Sequence, residues 1–363
     1  MGVIEQLGDS MAKTESTGVL PAVSAVAELV AGWFGFDEVQ DQDLYSETIA
    51  AAVAVVAGGL ILKTAWSQLH SCRGPSSERE SFANESGSGA ISGVSQTPVV
   101  VATKASSADI VTNVDRQVES EIRRILLTAF PDYAFVGEES AYLSGDLAMN
   151  SAKAGIATWV VDPLDGTTNF VSGIPHICTS VALIREHHVI VGAVYNPITD
   201  DLWVAVRQRG AFLNGKRLYS QCHVPLSDAV IVTEFGYERS AEGTKRMCVV
   251  VERLLRERVR AVRMFGSGIL DLLFAAQGVV HVVYAGVAGE GWQPWDYAAG
   301  VLIAKEAGCA VASLAAPVGP CSSDDFVSRC IHDFDIFGKS VLCASSRDLA
   351  LEVYHVIREV CSS

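Results

Sequence analysis

Three acidic clusters, far apart along the chain, have the residue types and spacing for metal-assisted chemistry. The most informative is Asp162-Pro163-Leu164-Asp165-Gly166-Thr167-Thr168-Asn169. Asp162 ends an apolar run, and Pro163 fixes the chain direction while offering no backbone donor. Asp165 comes three residues later, which brings a second carboxylate back near the first, with the Leu164 carbonyl between them. Gly166 permits a tight turn. Thr167, Thr168 and Asn169 are capping residues where a helix could start, its N–H groups facing an anion. One short loop thus offers hard oxygen ligands beside an anion cradle, which is what Mg²⁺-assisted phosphate chemistry requires. The other clusters are Gly137-Glu138-Glu139-Ser140, after a predicted strand over 133–136, and Trp295-Asp296, at a predicted helix start. Taken singly, each has an ordinary reading as a turn, a solvated acidic corner or a helix cap. The three together, in this order, point to a shared site. His176, His187 and His188 have no metal-ligand spacing with these carboxylates. His176 reads as packing or support, and the other two as a hairpin turn.

The elements that must position these groups follow from periodicity. Val118, Ile122, Ile125, Leu126 and Ala129 recur at helical spacing and predict an amphipathic helix over 115–130. Strands are predicted over 158–161, 181–184, 189–195 and 202–206, the last three as antiparallel neighbours. Helices are predicted over 249–258, 267–276 and 297–307, the last ended by Gly308. A strand over 279–284 and a final strand and helix over 341–344 and 349–360 complete an α/β pattern from Val99 onward.

Composition bounds the possibilities. With 363 residues, 49% hydrophobic and 19% charged, the chain can bury a sizeable core and is not disordered throughout. Lys plus Arg number 27 against 42 Asp plus Glu, a net charge of −15, which argues against nucleic acid as a partner. The one dense basic run, Arg253 to Arg263, is interleaved with Leu, Val and Glu and reads as the solvated face of a helix. Nine scattered cysteines without a CxxC motif predict reduced thiols and a cytoplasmic protein. Two apolar stretches invite a membrane reading. Val19 to Phe36 is interrupted by Pro21, Glu28 and Gly32, and it lacks the basic start of a secretory signal. Thr48 to Leu62 is about fifteen residues long where a span needs about twenty, so it reads as a buried helix. Tethering through 19–36 stays open as a distinct possibility. Residues 71–97, rich in Ser, Gly, Glu and Asn, read as a mobile insertion. Residues 1–40 read as an extension, poorly ordered or accessory.

The motifs at 137–140, 159–170 (Trp-Val-Val-Asp-Pro-Leu-Asp-Gly-Thr-Thr-Asn-Phe) and 295–300 (Trp-Asp-Tyr-Ala-Ala-Gly) resemble those of the inositol monophosphatase family. The family is one of Mg²⁺-dependent, lithium-sensitive phosphatases. Ala108 to Asp115 and Gly210 to Gly215 are similar to further family segments, and Ile49 to Trp66 falls at its first helix. The resemblance implies a layered α-β-α-β-α sandwich over residues 41–363, with subdomains of roughly 41–230 and 231–363. It implies that Glu138, Asp162 and the Leu164 carbonyl hold one Mg²⁺. Asp162, Asp165 and Asp296 would hold a second, and Glu139 would lie near a third. Thr167 and Glu138 would orient the attacking water, and Asp115 would support Thr167. The N–H groups of Gly166 and Thr167 would hold the phosphate. Lys104 and Asp109 would sit on a mobile loop that closes over the site. Gly266, Ser267, Gly268 and Glu290 would meet the ring of the substrate, with Glu290 one residue nearer to Asp296 than the family pattern and Tyr237 bulkier than usual. The implied reaction is hydrolysis of a small polyol phosphate, foremost myo-inositol 1-phosphate, by a homodimer. Histidinol phosphate, L-galactose 1-phosphate and fructose 1,6-bisphosphate are alternatives within the superfamily. A non-catalytic binding protein is the reading from another class. It would require loss of a ligand residue, and none is lost.

Overall fold

The computed structural model describes residues 19–36, 41–70, 99, 101–103, 110–144, 149–220, 223–289, 292–314 and 334–362. In chain order the elements begin with helices α1 (Val19–Phe34) and α2 (Gln42–His70), then strands β1 (Val101–Thr103) and β2 (Ile110–Thr112). Helix α3 (Asn113–Ala129), β3 (Ala134–Gly137), α4 (Glu138–Ser144), α5 (Asn150–Lys153), β4 (Thr158–Asp165) and α6 (Thr167–Ser172) follow. A meander comprises β5 (Cys178–Arg185), β6 (His188–Asn196), β7 (Asp201–Val206), β8 (Gly210–Leu213) and β9 (Lys216–Arg217). The second half has β10 (Val230–Thr233), α7 (Ala241–Arg256), β11 (Ala261–Arg263), α8 (Gly268–Ala276) and β12 (Val282–Ala285). A 3₁₀ turn (Pro294–Asp296) leads into α9 (Ala298–Glu306), β13 (Ala310–Ala312), β14 (Val341–Ala344) and α10 (Arg347–Ser362).

Seven strands form one sheet in the order β3-β4-β5-β6-β7-β8-β9, and five form another in the order β11-β10-β12-β14-β13. Period-two alternation decides which layers these sheets separate. Along β4, Trp159 and Val161 face α2 and α3, whereas Val160 faces the opposite side; β5 repeats this with Val181 and Leu183 against Ala182 and Ile184. On that opposite side lie α8 and α9, which also meet Val283 and Cys343 of the five-stranded sheet. Val282, Tyr284 and Leu342 point to its other face and pack with Met247 and Val250 of α7 and Val353 and Tyr354 of α10. The result is the expected five-layer α-β-α-β-α stack, with α8 and α9 as the filling between two sheets.

Several boundaries differ from the periodic reading. Helix α3 starts earlier because Thr112 caps it, in a reciprocal box with Asp115. Strand β4 does not stop at Asp162 but runs on to Asp165 through a register shift, with Asp165 opposite Cys178 and the Thr179 hydroxyl bonding the Pro163 carbonyl at 3.0 Å. That bulge is invisible to an alternation test. Strand β12 begins at Val282 rather than at Val279, because Gly278 turns the chain with φ of 71°. The Arg253–Arg263 run is not one helix face: α7 ends at Arg256, Arg258 turns with φ of 62°, and β11 is an edge strand. Its arginines pair with acids, Arg253 with Glu257 and Glu359, Arg256 with Glu252 and Arg260 with Asp228.

Helix α1 buries Ala27, Val30 and Phe34 in the outer layer, with Phe34 edge-on to Phe212 at 4.8 Å. Helix α2 is the one described helix long and apolar enough to cross a membrane, and 78% of its apolar window is buried inside the protein. Residues 71–97 lie outside the described residues.

Candidate active site

The β4 bulge delivers Asp162 and Asp165 to the end of the seven-stranded sheet. Asp162 is 2% exposed, and its Oδ1 accepts the Leu164 N–H at 3.0 Å. Burial pushes its pKa well above the usual carboxylate range, and the negative charges of Glu138, Asp165 and Asp296 push it further. The three acidic clusters of the sequence therefore meet at Asp162. Gly166 follows with φ of 90°, and a Cβ there would lie 2.9 Å from the His176 carbonyl, so only glycine fits between Asp165 and α6. The Thr167 hydroxyl, at the start of α6, lies 3.1 Å from the Leu164 carbonyl and 3.3 Å from Asp115 Oδ1. Its single proton can serve one of these at a time. Asp115 is held by the backbone N–H and hydroxyl of Thr112. Burial raises its pKa to about 6, and the charge of Glu139 adds to that.

Glu138 and Glu139 open α4, whose first turn is fastened from below. Glu119 on α3, one turn after Asp115, accepts the N–H groups of Glu139 at 2.7 Å and Ser140 at 3.0 Å. A Cβ at Gly137 would overlap this carboxylate, which fixes glycine before Glu138. Asp165 is fastened from the second half of the chain. Its Oδ2 accepts from Ser267 Oγ at 2.6 Å and from Ile269 N at 2.8 Å. Asp296 closes the turn before α9, its Oδ2 accepting the Gln293 N–H at 2.6 Å. Asp162 and Asp296 thus accept N–H groups of their own loops, and Asp165 accepts from the loop that opens α8. In this arrangement no three His, Cys, Asp or Glu side chains among the described residues converge on one point.

The donor set still suits a hard divalent cation. It is composed of carboxylates and a carbonyl, and the strongest charges acting on buried Asp162 are all negative. Such a cluster is costly unless protonated or neutralised by a cation. The residues that would hold one are Glu138, Asp162, the Leu164 carbonyl, Asp165 and Asp296; Glu139 lies near enough to Asp115 for its charge to act there.

The sequence profile of the inositol monophosphatase family matches residues 46–360. The chain belongs to that family. Inositol monophosphatase 2 of Solanum lycopersicum is 41% identical over 201 residues, 55% of this chain and 73% of its own. The solved Thermotoga maritima IMPase superposes with a TM-score of 0.62 at 25% identity, covering 89% of this chain and 99% of that one. An IMPase/NADP phosphatase solved in complex with Mg²⁺ and phosphate shares the fold, with a TM-score of 0.55, 24% identity and coverage of 70% and 85%. This family member is accordingly a hydrolase of the phosphatase class, and the family is in general metal-dependent. Residues 1–40 lie outside the profile match.

Of the other expected site residues, Gly266, Ser267 and Gly268 adjoin Asp165 at the start of α8. Tyr237 is exposed after β10, and Lys104, Asp109 and Glu290 lie outside the described residues. His176 and Asp115 are expected as supports, whereas the ties made by Asn169 and Glu119 are not. Asn169 Nδ2 donates to the carbonyls of His176 and Phe265, both at 2.8 Å, and ties α6 to the loop before α8. His176 sits between Phe265 and Phe274, with Nε2 3.4 Å from Asp271 Oδ1. Glu119 had one signal in the sequence, an acid on the buried face of α3 beside Val118 and Ile122.

Proposed function

We propose that this family member hydrolyses myo-inositol 1-phosphate to inositol and phosphate, using two to three Mg²⁺ ions, as a cytoplasmic homodimer. The observation that carries the chemistry is that Glu138, Asp165 and Asp296, drawn from all three acidic motifs, lie near enough to buried Asp162 for their charges to act on it. When bound, Mg²⁺ would offset the phosphate charge, lower the pKa of water and stabilise the leaving alkoxide. The protein's own part is orientation. Asp115 accepts the hydrogen bond of the Thr167 hydroxyl, which leaves a Thr167 lone pair to accept from water, with Glu138 on its other side. The N–H groups of Gly166 and Thr167 hold the phosphate, and the loop 266–268 faces the ring.

The test is phosphate release from inositol 1-phosphate, histidinol phosphate, galactose 1-phosphate, fructose 1,6-bisphosphate and a nucleotide 3′-phosphate. Each is run with Mg²⁺, with chelator and with Li⁺, on the wild type and D296N. The expected result is preference for inositol 1-phosphate, loss with chelator, inhibition by Li⁺ and a drop of about 10³-fold in D296N. Preference for another ester overturns the substrate, and chelator-resistant turnover overturns the metal reading.

A further inference from the structure

Asp165 does not hold its own orientation. Both of its close partners, Ser267 Oγ and Ile269 N, come from the loop that opens α8. That loop is shaped by another carboxylate. Glu234, immediately after β10, accepts the N–H of Phe265 at 2.7 Å and of Gly266 at 2.8 Å, both on Oε1. One oxygen therefore gathers two successive N–H groups, and the next residue is Ser267. Gly266, with φ of 80°, is the hinge between them, and Asn169 would lie 3.0 Å from any Cβ placed there. The Asn169 amide bonds the Phe265 carbonyl, so the peptide before the hinge is clamped at both ends. Behind the loop, fully buried Asp271 faces Glu234; burial and then the charges of Glu234 and Asp165 raise its pKa. A protonated Asp271 beside Glu234 keeps one negative charge there instead of two.

We infer that Glu234 is a positioning residue: by gathering the N–H groups of Phe265 and Gly266 it sets Ser267 and Ile269 against Asp165 and fixes that carboxylate for metal. The inference rests on the metal reading of Asp165. None of the three catalytic motifs contains Glu234; its hydrogen bonds reach Asp165 through the loop, while its charge acts on Asp165 directly.

The experiment is Mn²⁺ binding followed by electron paramagnetic resonance on the full chain, for the wild type, E234Q, E234D and S267A. Steady-state kcat and KM and thermal midpoints are measured alongside. Glutamine keeps a carbonyl oxygen for both N–H groups and can donate to Asp271. Aspartate is one methylene too short to reach them. Expected are Mn²⁺ affinities about 10- to 100-fold weaker in E234D and S267A, lower kcat, and near-wild-type binding in E234Q. Equal Mn²⁺ affinity in wild type, E234D and S267A overturns the inference, as does equal loss in E234Q and E234D. If E234D does not fold, E234N takes its place with the same outcomes, since its carbonyl is equally short of the two N–H groups; S267A removes the hydroxyl that meets Asp165 and caps Leu270 N but leaves Ile269 N on Asp165. Absence of Mn²⁺ binding in the wild type overturns instead the metal reading on which the inference rests.

Discussion

A histidine enclosed by two phenylalanine rings has to give up its charge. Burial lowers the pKa of His176 to about 4 in the folded protein, against an ordinary value of 6.5. The folded value lies below the unfolded one, so the unfolded chain binds the proton more tightly. The stabilisation is complete above pH 6.5 and is lost as pH falls towards 4. Between pH 7 and pH 5 this one group should cost roughly 2 kcal/mol. Asp115 and Asp165, each raised to about 6, act with the opposite sign, favouring the folded state as pH falls. They are present in both proteins of a comparison between the wild type and H176F, so the difference isolates the imidazole. Denaturant unfolding at pH 7 and pH 5 should show H176F losing about 2 kcal/mol less than the wild type. Parallel losses would mean that His176 is already solvated.

At the scale of elements, Gly268 opens α8 because Trp292 lies over it. A Cβ there would sit 2.7 Å from the indole. Helix propensity favours alanine by about 1 kcal/mol, whereas overpacking against a ring costs about 1–3 kcal/mol. G268A should therefore lower the thermal midpoint, and W292L should remove most of that penalty; a G268A protein as stable as the wild type would show that the ring moves freely. This pair also shows what the sequence made legible. Strands whose side chains alternate between two buried layers, such as β4 to β7, were readable, and so was α3 with its apolar stripe. The metal-type carboxylates were readable because each sits in a short motif. The long-range ties were not. Glu119 and Glu234 act on backbone N–H groups 20 and 31 residues away or more, and Trp292 acts on a glycine 24 positions back. Long-range pairing of that kind leaves no local period. The β4 bulge was missed for a different reason: Pro163 looks like an end, but the next strand bonds across it.

At the scale of the molecule, the site joins the two halves of the chain: Asp162 comes from the seven-stranded sheet and Glu138 from the helix that follows β3, Asp296 from the turn into the middle helical layer, and the clamp on Asp165 from the second half. A cation held there would bind the folded chain and not the unfolded one, so it should stabilise by mass action. At about 100 times the dissociation constant the gain is about 2.7 kcal/mol. Mg²⁺ should raise the thermal midpoint and chelator should reverse it, and a midpoint indifferent to both would count against a metal centre. The same architecture sets a demand on biosynthesis through α2. Its apolar side chains are covered by α3 and by β5 to β7, whose last strand ends at Val206. More than a hundred residues must leave the ribosome after His70 before that cover exists. At roughly 5–20 residues per second, a helix apolar enough to cross a membrane waits for several seconds or longer without that cover. The nascent chain should therefore depend on chaperones that hold apolar segments, and on that dependence the finished enzyme carries no mark.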